Sequence, residues 1–204
     1  MPAFGALNGA MPTTDDDSDR ALRWRVAAES DLSLDEHEAI AAMLARSFDD
    51  WSFWFVGGRS WAGIEPEARV LATTASRAIV AHAGFRRMFV RAPDGPLLVA
   101  AVGLIAVSPE AREAGVGSAL MRRLETTLRT LDVPLAVVQA GEESAAFFGA
   151  CGWAAADEAT VTYVDYSVNG AGVTVTDDSG WRVLPLGDTA ERFRGAISWD
   201  GQLV

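Results

Sequence analysis

The sequence predicts an α/β fold of the α+β kind, a central sheet with helices packed against it. Three observations carry that expectation. Leu97 to Val107, LLVAAVGLIAV, is an uncharged apolar run between Gly95-Pro96 and Ser108-Pro109, the pattern of a buried strand. Behind it, Val116, Leu120, Leu124, Leu128 and Leu131 recur at helical spacing between residues 114 and 131. Apolar segments along the whole chain then follow the order β-α-(α)-β-β-β-α-β-α-β-β, which needs one sheet covered by helices.

The elements follow in order. Residues 1–20 are small and polar with an acidic cluster, Asp15-Asp16-Asp17, and read as a disordered arm ahead of one domain over residues 21–204. Leu22 to Ala28 alternates as a first strand. Ser33 and Glu36 form a capping box before a helix to about Phe48, with Ile40, Leu44 and Phe48 inward and His37 on its surface. The segment 49–69 crowds Trp51, Phe53, Trp54, Phe55 and Trp61 around Gly57-Gly58; such density suits a core or the wall of an apolar pocket. Residues 70–74 and 78–90 read as a hairpin pair with His82 inside its second strand. Residues 135–139 form a buried strand, and residues 142–150 a short helix stopped by Gly152. Two or three more strands follow, around residues 161–168 and 181–186, joined by a polar segment, Asn169–Gly180.

Composition narrows the function. The chain has 204 residues, half of them hydrophobic, with a net charge of −11. That balance argues against nonspecific nucleic-acid binding and is compatible with a cationic acceptor. A single cysteine, Cys151, excludes an intrachain disulfide, and two histidines with one cysteine are too few for a zinc cluster, so no metal is expected. No apolar run reaches the roughly 20 residues of a membrane helix, and the first 20 residues lack the features of a secretory signal. A cytoplasmic protein that does not engage membranes is the expectation.

Between the strand at 97–107 and its helix lies Arg112-Glu113-Ala114-Gly115-Val116-Gly117-Ser118. Glycines admit close approach to backbone N–H groups, and a helix N-terminus favours an anion. A dinucleotide fingerprint wants three glycines and a P-loop wants a lysine. This loop has two glycines, and all 17 basic residues of the chain are Arg. The remaining pattern, R-x-x-G-x-G, is met by Arg112, Gly115 and Gly117. It resembles the coenzyme A pyrophosphate loop of the GCN5-related N-acetyltransferase (GNAT) superfamily.

A longer resemblance lies upstream. Arg59-Ser60-Trp61-Ala62-Gly63, Pro66-Glu67, Arg69, Ala81-His82, Gly84, Arg86-Arg87, LLVA at 97–100 and Gly103-Leu104 resemble the nodulation protein A family of N-acyltransferases. Ser118-Ala119-Leu120, Cys151-Gly152-Trp153, Val183-Leu184-Pro185 and Trp199-Asp200-Gly201 are similar to aminoglycoside 2′-N-acetyltransferases. Both imply a GNAT fold: a mixed, mostly antiparallel sheet splayed between its two central strands. They imply transfer of an acyl group from a pantetheine thioester to the amine of an amino sugar or peptide-type product. The donor is acyl-CoA or the acyl-phosphopantetheine of an acyl carrier protein. Its arm would pair with Ile105, Ala106 and Val107, and its phosphate would meet Arg112 to Ser118. The segment after the first helix would cover the acceptor, through Trp51, Trp54, Arg59 and Trp61.

Two departures bear on catalysis. Both families tend to carry a glutamate in the strand matching 97–107, where this chain has Ala101 and Gly103. The tyrosine often used to protonate the leaving thiolate is replaced by Phe148. His82 is then the best remaining general base, with Glu143 and Asp200 as weaker candidates and Asp200 alternatively an ammonium ligand. An aminoglycoside-type resistance acetyltransferase and an inactive GNAT-like binding protein remain the alternatives, and the oligomeric state, a homodimer included, is left open.

Overall fold

Two long strands, β3 (Ile79–Ala92) and β4 (Gly95–Val107), form the axis of a ten-stranded sheet in the computed structural model. It describes residues 22–112, 115–166, 172–188 and 190–203, so the arm expected over residues 1–20 lies outside the described residues. The first half of β3 pairs antiparallel with β2 (Ala68–Thr73), which in turn carries β1 (Arg23–Ala28). The second half meets the C-terminal strand instead. There β10 (Gly195–Ser198) sets Ser198 opposite Arg91 and lies parallel to β7 (Ala159–Asp165), which carries β8 (Val173–Asp177). On the other side of β4 come β5 (Leu135–Gln139), β9 (Trp181–Pro185) and the short β6 (Ala154–Ala155).

The C-terminal part holds more strands than the two or three expected. The polar segment read as a connection contains β8, whose sequence VTVTD buries no residue, so no apolar signal marks it. β10 is equally silent, with Ile197 its one buried side chain. Elsewhere the elements fall where periodicity puts them. The capping box of Ser33 and Glu36 starts α1 (Leu34–Ser47), and Ile40, Met43 and Leu44 are fully buried beneath it. The helix α2 (Val116–Leu128) buries Leu120, Leu124 and Leu128 completely, each contributing about 1.5–3 kcal/mol of apolar burial. The short α3 is Ala145–Ala150. Among the described residues no helix is long and apolar enough to cross a membrane.

β4 separates two faces. Ala100, Val102, Ile105 and Val107 pack in one cluster with α2, whereas Leu104 and Ala106 pack in another with α1. Strict alternation cannot give that set. The pairing with β3 steps from His82↔Ala106 to Gly84↔Gly103, two residues on β3 against three on β4. β4 therefore carries a bulge, and Leu104 sits in it at φ 52. A left-handed leucine is strained by about 1–3 kcal/mol, so its surroundings must hold it. β4 also parts from β5: the two run parallel and match only at Ala100↔Ala136 and Ala101↔Val137 among the described residues. From Val102 onward that edge of β4 is open.

A buried cation fixes the bulge. Arg69 is fully buried on β2. Its Nε and Nη2 donate to the two carboxylate oxygens of Glu29, both at 2.6 Å, and its Nη1 donates to the Ser60 carbonyl at 2.8 Å. Nη1 also lies 3.0 Å from His82 Nε2. Arginine only donates, so Nε2 is the acceptor and the imidazole proton sits on Nδ1. Nδ1–H then donates to the Leu104 carbonyl at 2.7 Å. Burial first, and the Arg69 charge second, push the His82 pKa down to about 3. His82 is a neutral strut between a buried guanidinium and the bulge.

Two measurements check this arrangement. Folded His82 stays neutral while the unfolded residue takes a proton near pH 6.5, so unfolding takes up a proton below that pH and stability falls as the pH is lowered. Between pH 6.5 and 5 the expected slope is up to about 1.4 kcal/mol per pH unit in urea titrations, and His82→Gln should flatten it. Glu29→Gln leaves Arg69 buried without its counter-charge and should cost about 3 kcal/mol or more in the same titrations.

Candidate active site

The bulged Leu104 faces a pocket with about 600 Å³ of empty space, its open mouth included. Phe48, Trp51 and Phe55 line it from the end of α1 and the segment that follows. That segment, Asp49–Gly58, is irregular and breaks at Phe55–Gly57, with Gly57 at φ 70. The break turns Phe55 inward to 5% exposure and leaves Phe53 and Val56 outside. Ala62 and Gly63 form another wall, and the C-terminal residues Gln202 and Leu203 cover it. The cover is strapped down: Ile64 N–H donates to the Leu203 carbonyl at 3.1 Å, and a Cβ on Gly63 would sit 1.9 Å from that oxygen. Only glycine lets the tail lie there.

The polar part of the pocket comes from β7 through Tyr163 and Asp165. Burial, followed by the Asp177 carboxylate, pushes the Tyr163 phenol up to about 12, so it is neutral at physiological pH. Its hydroxyl is buried near the Gln139 side chain, yet neither it nor Gln139 Oε1 makes a well-formed hydrogen bond. Asp165 is partly buried and brings a carboxylate to the described lining.

Of the expected acceptor residues, Trp51 lines the pocket. Trp54, Arg59 and Trp61 instead stack on one another: the Arg59 guanidinium lies 4.5 Å from the Trp54 ring centre and 5.9 Å from that of Trp61, and donates to the Ala62 carbonyl at 3.3 Å. Ser60 is completely buried, and its hydroxyl lies 2.8 Å from Nδ1 of His37. His37, read from the sequence as a surface residue, thus ties α1 to this block. Glu67 belongs to the same scaffold: its carboxylate binds Arg87 and is held below the usual carboxylate range mainly by that hydrogen bond. Pro66 packs over Gly84, where a Cβ would come within 2.9 Å of the proline ring.

None of the expected bases is among the described lining residues. His82 cannot take up a proton, because it is fully buried and its one lone pair faces Arg69. Glu143 is exposed in the turn before α3, and Asp200 is exposed in an ion pair with Arg91 at 2.6 Å. Neither lines the pocket. Cys151 offers no nucleophile, since burial pushes its thiol up to about 11. Among the described residues no group of three or more His, Cys, Asp and Glu side chains is placed to hold a metal ion.

The expected donor residues lie around the open edge of β4. Ile105 and Val107 turn their side chains toward α2, Ala106 turns toward α1, and the Val107 carbonyl accepts from Arg112 Nε at 3.3 Å. Gly115 caps α2 at φ 72, a conformation that suits glycine. Among the described residues the first intrahelical bond runs from the Ala119 N–H to the Gly115 carbonyl, and the N–H groups of Val116, Gly117 and Ser118 have no acceptor there within the helix. Glu113 and Ala114 lie outside the described residues.

Sequence reasoning missed Leu104, Tyr163, Asp165, Gln202 and Leu203 as pocket residues. All but Leu104 reach the pocket through pairings between distant segments, and no local pattern marks them. Leu104 had a faint signal, since a glycine inside a buried strand, here Gly103, is a mark of a bulge.

Gly117 separates packing from binding. A Cβ there would make ordinary contacts, 3.4 Å to the Phe147 ring and 3.9 Å to Val107. The fold does not require this glycine. Gly117→Ala should therefore keep the wild-type melting temperature or raise it slightly, while weakening coenzyme A binding about tenfold by calorimetry.

Comparison with known proteins agrees with the geometry. The solved GNAT family N-acetyltransferase YhbS of Escherichia coli, in complex with CoA, superposes with a TM-score of 0.60 at 17% identity, covering 88% of this chain and 91% of that one. An acyl-CoA N-acyltransferase from Pseudomonas aeruginosa gives 0.54 at 16% identity, covering 80% and 99%. At such identities the likeness establishes the GNAT fold alone. Nodulation protein A of Mesorhizobium sp. (strain 7653R) is 38% identical over 122 residues, 57% of this chain and 60% of that protein. That of Sinorhizobium fredii (strain NBRC 101917 / NGR234) is 34% identical over 119 residues, 56% and 60%. These matches span about 60% of the length of the curated relatives. The profile of Nodulation protein A (NodA) matches residues 19–193, and the chain belongs to that family.

Proposed function

We propose that this chain is an N-acyltransferase, moving an acyl group from a pantetheine thioester to a primary amine of an amino sugar or peptide-type product. The observation that carries the reading is the open, bulged stretch of β4, Leu104 to Val107. It lies in sequence just ahead of a glycine-capped helix N-terminus and turns Leu104 into an apolar pocket on the opposite face. The donor's phosphate groups would lie on the N–H groups of Val116, Gly117 and Ser118. Its arm would pair with the backbone of Ile105 to Val107, displacing Arg112 from the Val107 carbonyl. Acceptor and thioester would meet at the bulge.

Direct attack fits the residues present. The amine lone pair forms the new C–N bond, the C–S bond breaks, and the proton released from nitrogen passes through solvent to the leaving thiolate. A covalent relay through Cys151 is disfavoured by its protonated thiol. The rate then comes from positioning and from a neutral fraction of amine.

The donor is acyl-CoA or the acyl-phosphopantetheine of a carrier protein, for which Arg112, Arg122, Arg123 and Arg129 around the loop would be the docking residues. The test is thiol release from acyl-CoA of several chain lengths, with and without amine. Release should require the amine and should rise with pH as the amine loses its proton. Binding of acyl-CoA with no amine-dependent release from any donor would sink the proposal and leave a GNAT-like binding protein.

A further inference from the structure

We propose that Leu203 is a specificity-determining residue: it limits the size of the apolar group that lies in the pocket beside the β4 bulge, and Gly63 and Ile64 position it there. This rests on the acyltransferase reading and deepens it by naming what sets the size of a reacting partner. An irregular segment at the surface is loose unless its backbone groups find partners. Residues 201–203 are tied at every carbonyl, each by a different donor. Gly201 accepts from Val164 N–H of β7 at 2.8 Å, Gln202 from the indole Nε1 of Trp199 at 3.2 Å, and Leu203 from Ile64 N–H at 3.1 Å. The Trp199 ring is itself buried, so that tie is rooted in the core.

Two glycines make the fit possible. Gly201 lies at φ 130, a conformation that side chains rarely adopt. A Cβ on Gly63 would come 1.9 Å from the Leu203 carbonyl oxygen and 3.1 Å from its carbon. Backbone lies on backbone there, and no change of rotamer relieves such a contact. Leu203 lines the same pocket as Leu104, Phe48, Trp51 and Phe55, so the strap adds an apolar wall to a largely apolar space. Leu104 is held by the bulge and Leu203 by the strap, so neither wall yields readily to a longer group. The group is either the acyl chain of the donor or an apolar substituent carried by the acceptor.

The test is calorimetry on the full chain with two series of ligands. One is acetyl-, octanoyl- and palmitoyl-CoA; the other is glucosamine with its methyl and phenyl glycosides. Leu203→Ala should tighten the larger members of a series by at least about tenfold relative to its smallest member, and Leu203→Trp should weaken them by about the same factor. A shift in the acyl-CoA series assigns the group to the donor, and a shift in the glycosides assigns it to the acceptor; either supports the proposal. Gly63→Ala should reproduce the Leu203→Ala profile and speed hydrogen exchange at the Ile64 amide at least about tenfold as the strap lifts. Coenzyme A affinity reports that each variant is folded, and the Leu203 pair decides alone if Gly63→Ala does not fold. An unchanged size profile in both folded Leu203 variants would overturn the proposal. So would folded Gly63→Ala with the wild-type profile and slow exchange at Ile64. The two readings fail separately. Binding whose size profile follows Leu203, without amine-dependent thiol release, would remove the transferase and keep this inference. Transfer with a size profile indifferent to Leu203 would do the reverse.

Discussion

Burying a guanidinium is costly unless its donors find acceptors, and Arg69 pairs four of its five with groups that, together with its own strand, join four separate parts of the chain. Glu29 follows β1, Ser60 belongs to the segment after α1, His82 is on β3, and Arg69 itself is on β2. Through His82 the constraint reaches a fifth part, the Leu104 carbonyl on β4. Loss of any one contact leaves a buried charge or a strained leucine without support. The bulge, the side-chain parity of β4 beyond it, and the pocket that Leu104 faces all depend on this chain of bonds.

This changes what the family block means. Arg59, Ser60, Trp61, Glu67, Arg69, His82, Gly84 and Arg87 carried the resemblance, and a row of polar residues in such a pattern reads naturally as an active site. The structure gives them other work. Arg59 stacks between two tryptophans, Glu67 clasps Arg87, Gly84 makes room for Pro66, and Arg69 with His82 braces the bulge. Their contacts shape the walls around the bulge and the pocket.

The sequence made the fold legible wherever burial was periodic. The strand at 97–107, the α2 stripe, the capping box at Ser33 and the strand at 135–139 all follow from local pattern. The failures share one physical cause. β8 and β10 exist because the sheet offers them an edge, and their own sequences bury almost nothing. The pocket combines α1, β4, β7 and the C-terminal tail, so Tyr163, Asp165 and Leu203 had no local signature. His82 misled because a lone histidine near a thioester site suits a base. Its neutrality comes first from burial and then from Arg69, thirteen residues away in sequence and beside it only after β2 and β3 pair.

The missing glutamate of β4 then has a structural answer. Ala101 turns into the cluster of Trp181, Trp199 and Val137 at 1% exposure, so a carboxylate there would be buried among aromatic rings. A carboxylate, Asp165, reaches the pocket from β7, whose far end is held by the tail: Val164 N–H donates to the Gly201 carbonyl at 2.8 Å, next to Asp165. The same tail passes over Gly63 and closes the pocket through Leu203. The bulge braced by Arg69 and the cover laid down by β7 and the tail thus meet at the pocket.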